Sequence, residues 1–159
     1  MRVLILMALL AVGCFAEEAV QATTCDLVQN PKLYHHKLVE VTSAVSRGFE
    51  DFTLSEPSCM YSVWIEYGGK KGARTVYCCP GRTSRTRFTA LTVDGIKTTL
   101  VDDKMFRRFD DESKKGVQAR LVGRFFAKPV GTRTGYGHLG CCSLFVIQQV
   151  LDVRLKQIQ

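Results

Sequence analysis

Alternation of apolar and polar residues is the clearest pattern in the chain. From Leu38 to Arg47, Val39, Val41 and Val45 fall on one side and Glu40, Thr42 and Ser46 on the other, the period-two pattern of a half-buried strand. Val117 to Ala127 repeats it, with Val117, Ala119, Leu121, Gly123 and Phe125 on one side and Gln118, Arg120 and Arg124 on the other. Phe52 to Ser55, Ser62 to Tyr67 and Cys141 to Val153 read as three further strands, and Thr75 to Cys79 as a short resumption of the sheet after a glycine-rich break. Arg82 to Thr99 shows no clear period.

Two stretches follow helical spacing instead. Thr23 or Thr24 caps a short helix that Pro31 stops, and Pro31 to Lys37 reads as a turn. Asp102 caps a second helix running to about Glu112, with Met105, Phe106 and Phe109 as a narrow apolar stripe and Gly116 beyond its end. The acidic groups Asp102, Asp103, Asp110, Asp111 and Glu112 are interleaved with Lys104, Arg107, Arg108, Lys114 and Lys115, as on a solvated helix face rather than in a general acid/base pair.

The order of elements is helix, three strands, helix, two strands. This predicts a mainly β fold, a small five-stranded barrel of the oligonucleotide/oligosaccharide-binding (OB) type with a helix between strands three and four. The stretch "LVQNPKLYHHKLVEVTSAV" from Leu27 to Val45, with "GYGHLG" at Gly135 to Gly140, resembles an uncharacterised group of exported bacterial OB-like proteins. The resemblance implies the barrel and no established activity, cofactor or functional residue.

The first residues add a compartment. One charge at Arg2 precedes ten apolar residues from Val3 to Val12, then small residues and Glu17-Glu18. This is the pattern of a secretory leader over residues 1–16, and it is shorter than the ~20 apolar residues a membrane span needs. Cleavage after Ala16 competes with a lipobox reading in which Cys14 carries a lipid anchor; either way a single exported domain, 17–159, is expected in the periplasm, outside the cell or tethered to a membrane.

Apart from Cys14, six of the seven cysteines remain: Cys25, Cys59, Cys78, Cys79, Cys141 and Cys142. An even set in an exported chain suggests disulfides, with roughly 15 possible pairings. The arrangement favoured is Cys25 with Cys59, and the pair Cys78/Cys79 stapled to the pair Cys141/Cys142, because adjacent strand residues point to opposite faces. A vicinal redox switch is the competing use. A metal site drawn from His138, Cys141 and Cys142 is a further alternative, though oxidation competes for the thiols and the spacing is not a zinc signature. No cofactor is expected, and hydrolase, phosphate-loop and Cys-x-x-Cys motifs are missing from the sequence.

Charge points to the class of partner. Twenty-two Lys and Arg against fifteen Asp and Glu give +7. Lys70, Lys71, Arg74, Arg82, Arg85 and Arg87 occupy one stretch with no acid in it, and Tyr67 and Tyr77 offer flat contacts. On an OB barrel such a stretch suits single-stranded nucleic acid, but export favours an acidic glycan, a lipid headgroup or an acidic protein of the envelope. A solvated loop is the plain alternative. Trp64 is read as a barrel-core residue, with an exposed ligand platform as the other possibility. The expectation is an exported binding module for an anionic ligand or partner, more a binder than an enzyme. A thiol-dependent redox or metal-handling protein is the alternative.

Overall fold

The computed structural model describes residues 17–48, 51–68, 91–129 and 135–156. Its strands are β1 (Val20–Ala22), β2 (Leu38–Arg47), β3 (Phe52–Ser55), β4 (Val63–Tyr67), β5 (Leu91–Val93), β6 (Ile96–Thr98), β7 (Val117–Phe126) and β8 (Leu144–Leu155). The helices are α1 (Thr24–Gln29), α2 (Pro31–Tyr34) and α3 (Lys104–Glu112). Among these, β2, β3, β4, β8 and β7 are hydrogen-bonded in that order, and β2 pairs again with β7 to close the ring. All neighbours are antiparallel except β4 and β8, which run parallel. The fold is therefore a closed, mixed, OB-like five-stranded barrel, with α3 between its third and fourth strands.

The two long alternating stretches build the wall. Val39, Val41, Val45, Val117, Ala119, Leu121 and Phe125 all point inward and are buried. Arg120 stays outside and pairs with Glu40 across the β2–β7 ladder at 3.5 Å. The α3 helix closes one end of the barrel with Phe106 and Phe109, whose rings meet Tyr67 at 5.2 and 6.3 Å. Its far turn is held by a polar network: Arg47 donates to the Tyr67 hydroxyl and to Asp110 Oδ1, and the Tyr67 hydroxyl donates to the same carboxylate at 2.9 Å. Burial pushes the Tyr67 phenol far above its usual range, so it remains a protonated donor. Tyr67, expected to offer a flat contact, is thus a core residue of the barrel.

Several boundaries differ from expectation for local reasons. Pro31 sits in the first turn of a helix, where its missing N–H costs nothing, so α2 replaces the expected turn. Asp103, not Asp102, caps α3 by accepting from the Phe106 amide, while Asp102 pairs with Arg107 at 3.1 Å. The last strand starts at Leu144 rather than Cys141, because Cys142 is drawn into an isolated bridge with Tyr136. Two elements were not anticipated, β1, which adds parallel to the start of β2, and the β5–β6 hairpin.

That hairpin explains Trp64. Along β4 the side chains of Val63, Ile65 and Tyr67 enter the barrel, whereas Trp64 lies on the outer face with Phe126, Leu144 and Val146, covered by Val93 and Ile96. Trp64 is buried, as a core residue is, but in a second apolar layer outside the barrel. The segment 69–90, which holds Lys70, Lys71, Arg74, Tyr77, Cys78, Cys79, Arg82, Arg85 and Arg87, lies outside the described residues, as do Cys14 and the leader. No helix among the described residues is long and apolar enough to cross a membrane.

Candidate binding cleft

An open cleft lies at the end of the barrel where β4 and β8 begin and β7 ends. It measures about 700 Å3 and is walled by α1 and α2 on one side, the β3–β4 connection on another, and the segments after β7 and before β8 on the third. Val28, Pro31, Met60 and Pro129 supply apolar surface, and Lys128, Ser62 and Ser143 supply polar atoms. Met60 and Tyr61 are 87% and 67% exposed, large for apolar side chains, so this rim is open to solvent.

Each wall is held by identifiable contacts. The α1 helix starts with a capping box, in which the Thr23 hydroxyl accepts from the Asp26 amide and the Asp26 carboxylate accepts from the Thr23 amide. The bonds that the Thr23 amide and hydroxyl donate to the Asp26 carboxylate hold that carboxyl below its usual pKa. The Cys25–Cys59 disulfide then ties α1 to the connection that carries Met60, Tyr61 and Ser62. Cys25–Cys59 is the pairing expected from the sequence.

The opposite wall departs from expectation. Cys141 is bonded to Cys142, its neighbour, with Cα atoms 3.7 Å apart, and not to Cys78 or Cys79. The alternation argument assumed a regular strand; here the pair lies in a turn, closed by two backbone bonds between Tyr136 and Cys142 of 2.8 and 3.0 Å. With both sulfurs consumed, the metal set of His138, Cys141 and Cys142 loses its two thiolates. Gly137 is required in this turn: its φ is +76°, and a Cβ there would run into the Trp64 ring. Part of the "GYGHLG" motif is thereby explained as a lid on Trp64.

Lys128 is the cation among the described residues of the cleft. Its backbone N–H donates to Ser143 Oγ at 2.9 Å and its ammonium to the Cys141 carbonyl at 3.2 Å. Among the described residues it has no carboxylate partner, in contrast to Arg124, whose guanidinium forks onto both oxygens of Glu17 at 2.7 and 2.6 Å. The Arg124 bond holds the Glu17 carboxyl below its usual pKa.

Two groups of metal-ligand type occur among the described residues. Cys25, Glu56 and Cys59 converge, but the two sulfurs are bonded to one another. His35, His36 and Asp94 also converge. His35 Nδ1 accepts the Ala127 N–H at 3.1 Å, so it carries no proton, and coordination through Nε2 would require one there. Desolvation lowers the His35 pKa, in keeping with a neutral ring. His36 instead fastens the β5–β6 turn by its 3.2 Å contact with Asp94.

Of the residues singled out from sequence, the structure gathers Cys141 and Cys142 at the cleft and Cys59 beside it. Lys128, Met60 and Tyr61 were overlooked, and only the exposure of two apolar residues next to Cys59 signals them. No family model, no curated protein and no solved structure matches the chain.

Proposed function

We propose that this protein is a disulfide-supported binding module for an anionic ligand or partner, working in an oxidising compartment outside the cytoplasm. The observation that carries the reading is the cleft, a concave site of small-molecule size with one ammonium group lacking a counter-charge among the described residues. The run from Lys70 to Arg87 agrees in sign, and the two disulfides among the described residues support the compartment.

The partner reading is tested on an immobilised anionic polymer. Replacing Arg82, Arg85 and Arg87 by Ser is expected to reduce retention more than replacing Lys104, Lys114 and Lys115, which are exposed on α3 and the turn after it. Both triples remove three charges, so net charge alone predicts equal losses. Equal losses would remove the 70–87 segment from the reading. Retention is also expected to fall with salt, since free charges are screened beyond about 8 Å at physiological ionic strength.

A second reading rests on the Cys141–Cys142 bond. In thiol–disulfide exchange, a dithiol reductant attacks one of these sulfurs, ends as its own disulfide and leaves two thiols, having delivered two electrons and two protons. Trp64, the single tryptophan, shares an apolar cluster with Cys142 and reports the change. Its emission is expected to rise under a dithiol, because a disulfide quenches indole, and to stay constant in a Cys141→Ala/Cys142→Ala variant. A bond that persists under such a dithiol, shown by unchanged intact mass, contradicts this reading.

A further inference from the structure

We propose that the cleft is a seat for a linear aliphatic carboxylate, with the carboxylate on the Lys128 ammonium and the chain along the apolar wall. The proposal rests on the reading of the protein as a binder of anions, and it names the ligand class.

Three observations converge on that class. First, the charge is single among the described residues. Lys128 is the only cation among the described residues lining the cleft, and its ammonium spends one of its three donors on the Cys141 carbonyl. A phosphate ester or nucleotide brings about two negative charges, and an apolar wall penalises a charge left without a partner.

Second, the polar atoms that remain are donors suited to a carboxylate. Ser143 Oγ accepts the Lys128 backbone N–H, which leaves its hydroxyl proton to give. Lys128 and Ser143 thus offer an ammonium and a hydroxyl from the same corner of the cleft. Third, the rest of the wall is aliphatic and irregular: Val28, Pro31, Met60 and Pro129, with the Cys141–Cys142 ring beside Lys128. Among the described residues of the lining Tyr61 is the lone aromatic ring, so no pair of them sandwiches a planar base or sugar face. A flexible methylene chain follows such a surface, and sulfur and methionine adapt to it. The volume, about 700 Å3, lies inside the range of about 300–1,000 Å3 usual for small-molecule sites.

The experiment titrates the oxidised protein with dodecanoate below its micelle concentration, by calorimetry and by backbone amide NMR. Dodecanol and dodecylammonium are the matched probes without the charge and with the opposite one. Saturable one-to-one binding of dodecanoate is expected, with shifts at Tyr61, Ser62 and Ser143, and at least about tenfold weaker binding of both matched probes, as expected for a lost charge-assisted hydrogen bond. Lys128→Met keeps the apolar stem and is expected to weaken dodecanoate about tenfold.

Met60→Glu serves as a second variant, because an 87% exposed side chain can be changed without disturbing the fold; its carboxylate at the rim is expected to repel the ligand. Absence of saturable binding, equal binding of dodecylammonium or dodecanol, dodecanoate affinity unchanged in Lys128→Met, or shifts confined to another surface would each overturn the proposal. Retention on the anionic polymer involves no fatty chain. If that retention survives while dodecanoate fails, the ligand class falls and the anion-binding reading stands.

Discussion

Leu121→Ala is expected to destabilise the protein by about 2–5 kcal/mol, while Arg120→Ala, one residue earlier on the same strand, costs less than about 1 kcal/mol. Leu121 is fully buried in the barrel, and its truncation leaves a cavity among side chains of a closed wall that cannot collapse to fill it. Arg120 keeps half of its side chain in water, and its 3.5 Å contact with Glu40 is a screened surface pair. Urea denaturation followed by far-ultraviolet circular dichroism measures both. Similar losses, or the reverse order, would mean that β7 presents its faces the other way round.

Removing the Cys25–Cys59 link by Cys25→Ala/Cys59→Ala is expected to cost about 4 kcal/mol. The bond joins residues 34 apart, and loop-closure entropy for a loop of that length gives roughly this figure. Thermal melting without reductant, with intact mass confirming that Cys141–Cys142 remains closed, isolates the effect. A loss under about 1 kcal/mol would show that the link adds little to what the capping box and the buried Leu27 already do for α1. Because the same bond ties α1 to Met60, Tyr61 and Ser62, the variant is also expected to loosen one wall of the cleft.

Much of the barrel is legible in the residues themselves. Leu38–Arg47 appears with the bounds that its alternation suggests, Phe52–Ser55 with those expected of a short strand, and Val117–Phe126 ends one residue early. Half-buried strands must alternate, so the pattern carries both the element and its inward face. The stretch before the second helix was harder to read, yet Asp94-Gly95 between Val93 and Ile96 is a strong hairpin signal. Both turn residues adopt positive φ, 48° and 76°. The signal was masked by the basic and polar stretch ahead of it. The three-residue β1 has too little length for a period to show, and it exists only because the start of β2 offers a free edge.

The candidate site was much less legible than the fold. Cys59 points to one wall, but Met60 and Tyr61 fall between two expected strands with no pattern to mark them, and only the folded chain places their side chains outside. Lys128 is one of 22 basic residues, with nothing local to set it apart. Its separation from any carboxylate among the described residues, and its place beside Ser143 and the Cys141 carbonyl, arise from chain segments that meet only at the end of the barrel.

By itself the sequence determined the inward faces of β2 and β7, the cap of the first helix at Thr23 or Thr24 and the positive charge of the whole. Those depend on local period, local hydrogen bonding and composition, which neighbours in the chain decide among themselves. Tertiary structure alone decided that Trp64 lies outside the barrel under a hairpin, that Cys141 turns to Cys142, and that an ammonium stands in an apolar cleft. The first and the last are contacts between segments distant in the chain, and the Cys141–Cys142 bond sits in a turn closed by the Tyr136–Cys142 bridge, so their free energy resides in the assembled surface rather than in any one segment's pattern.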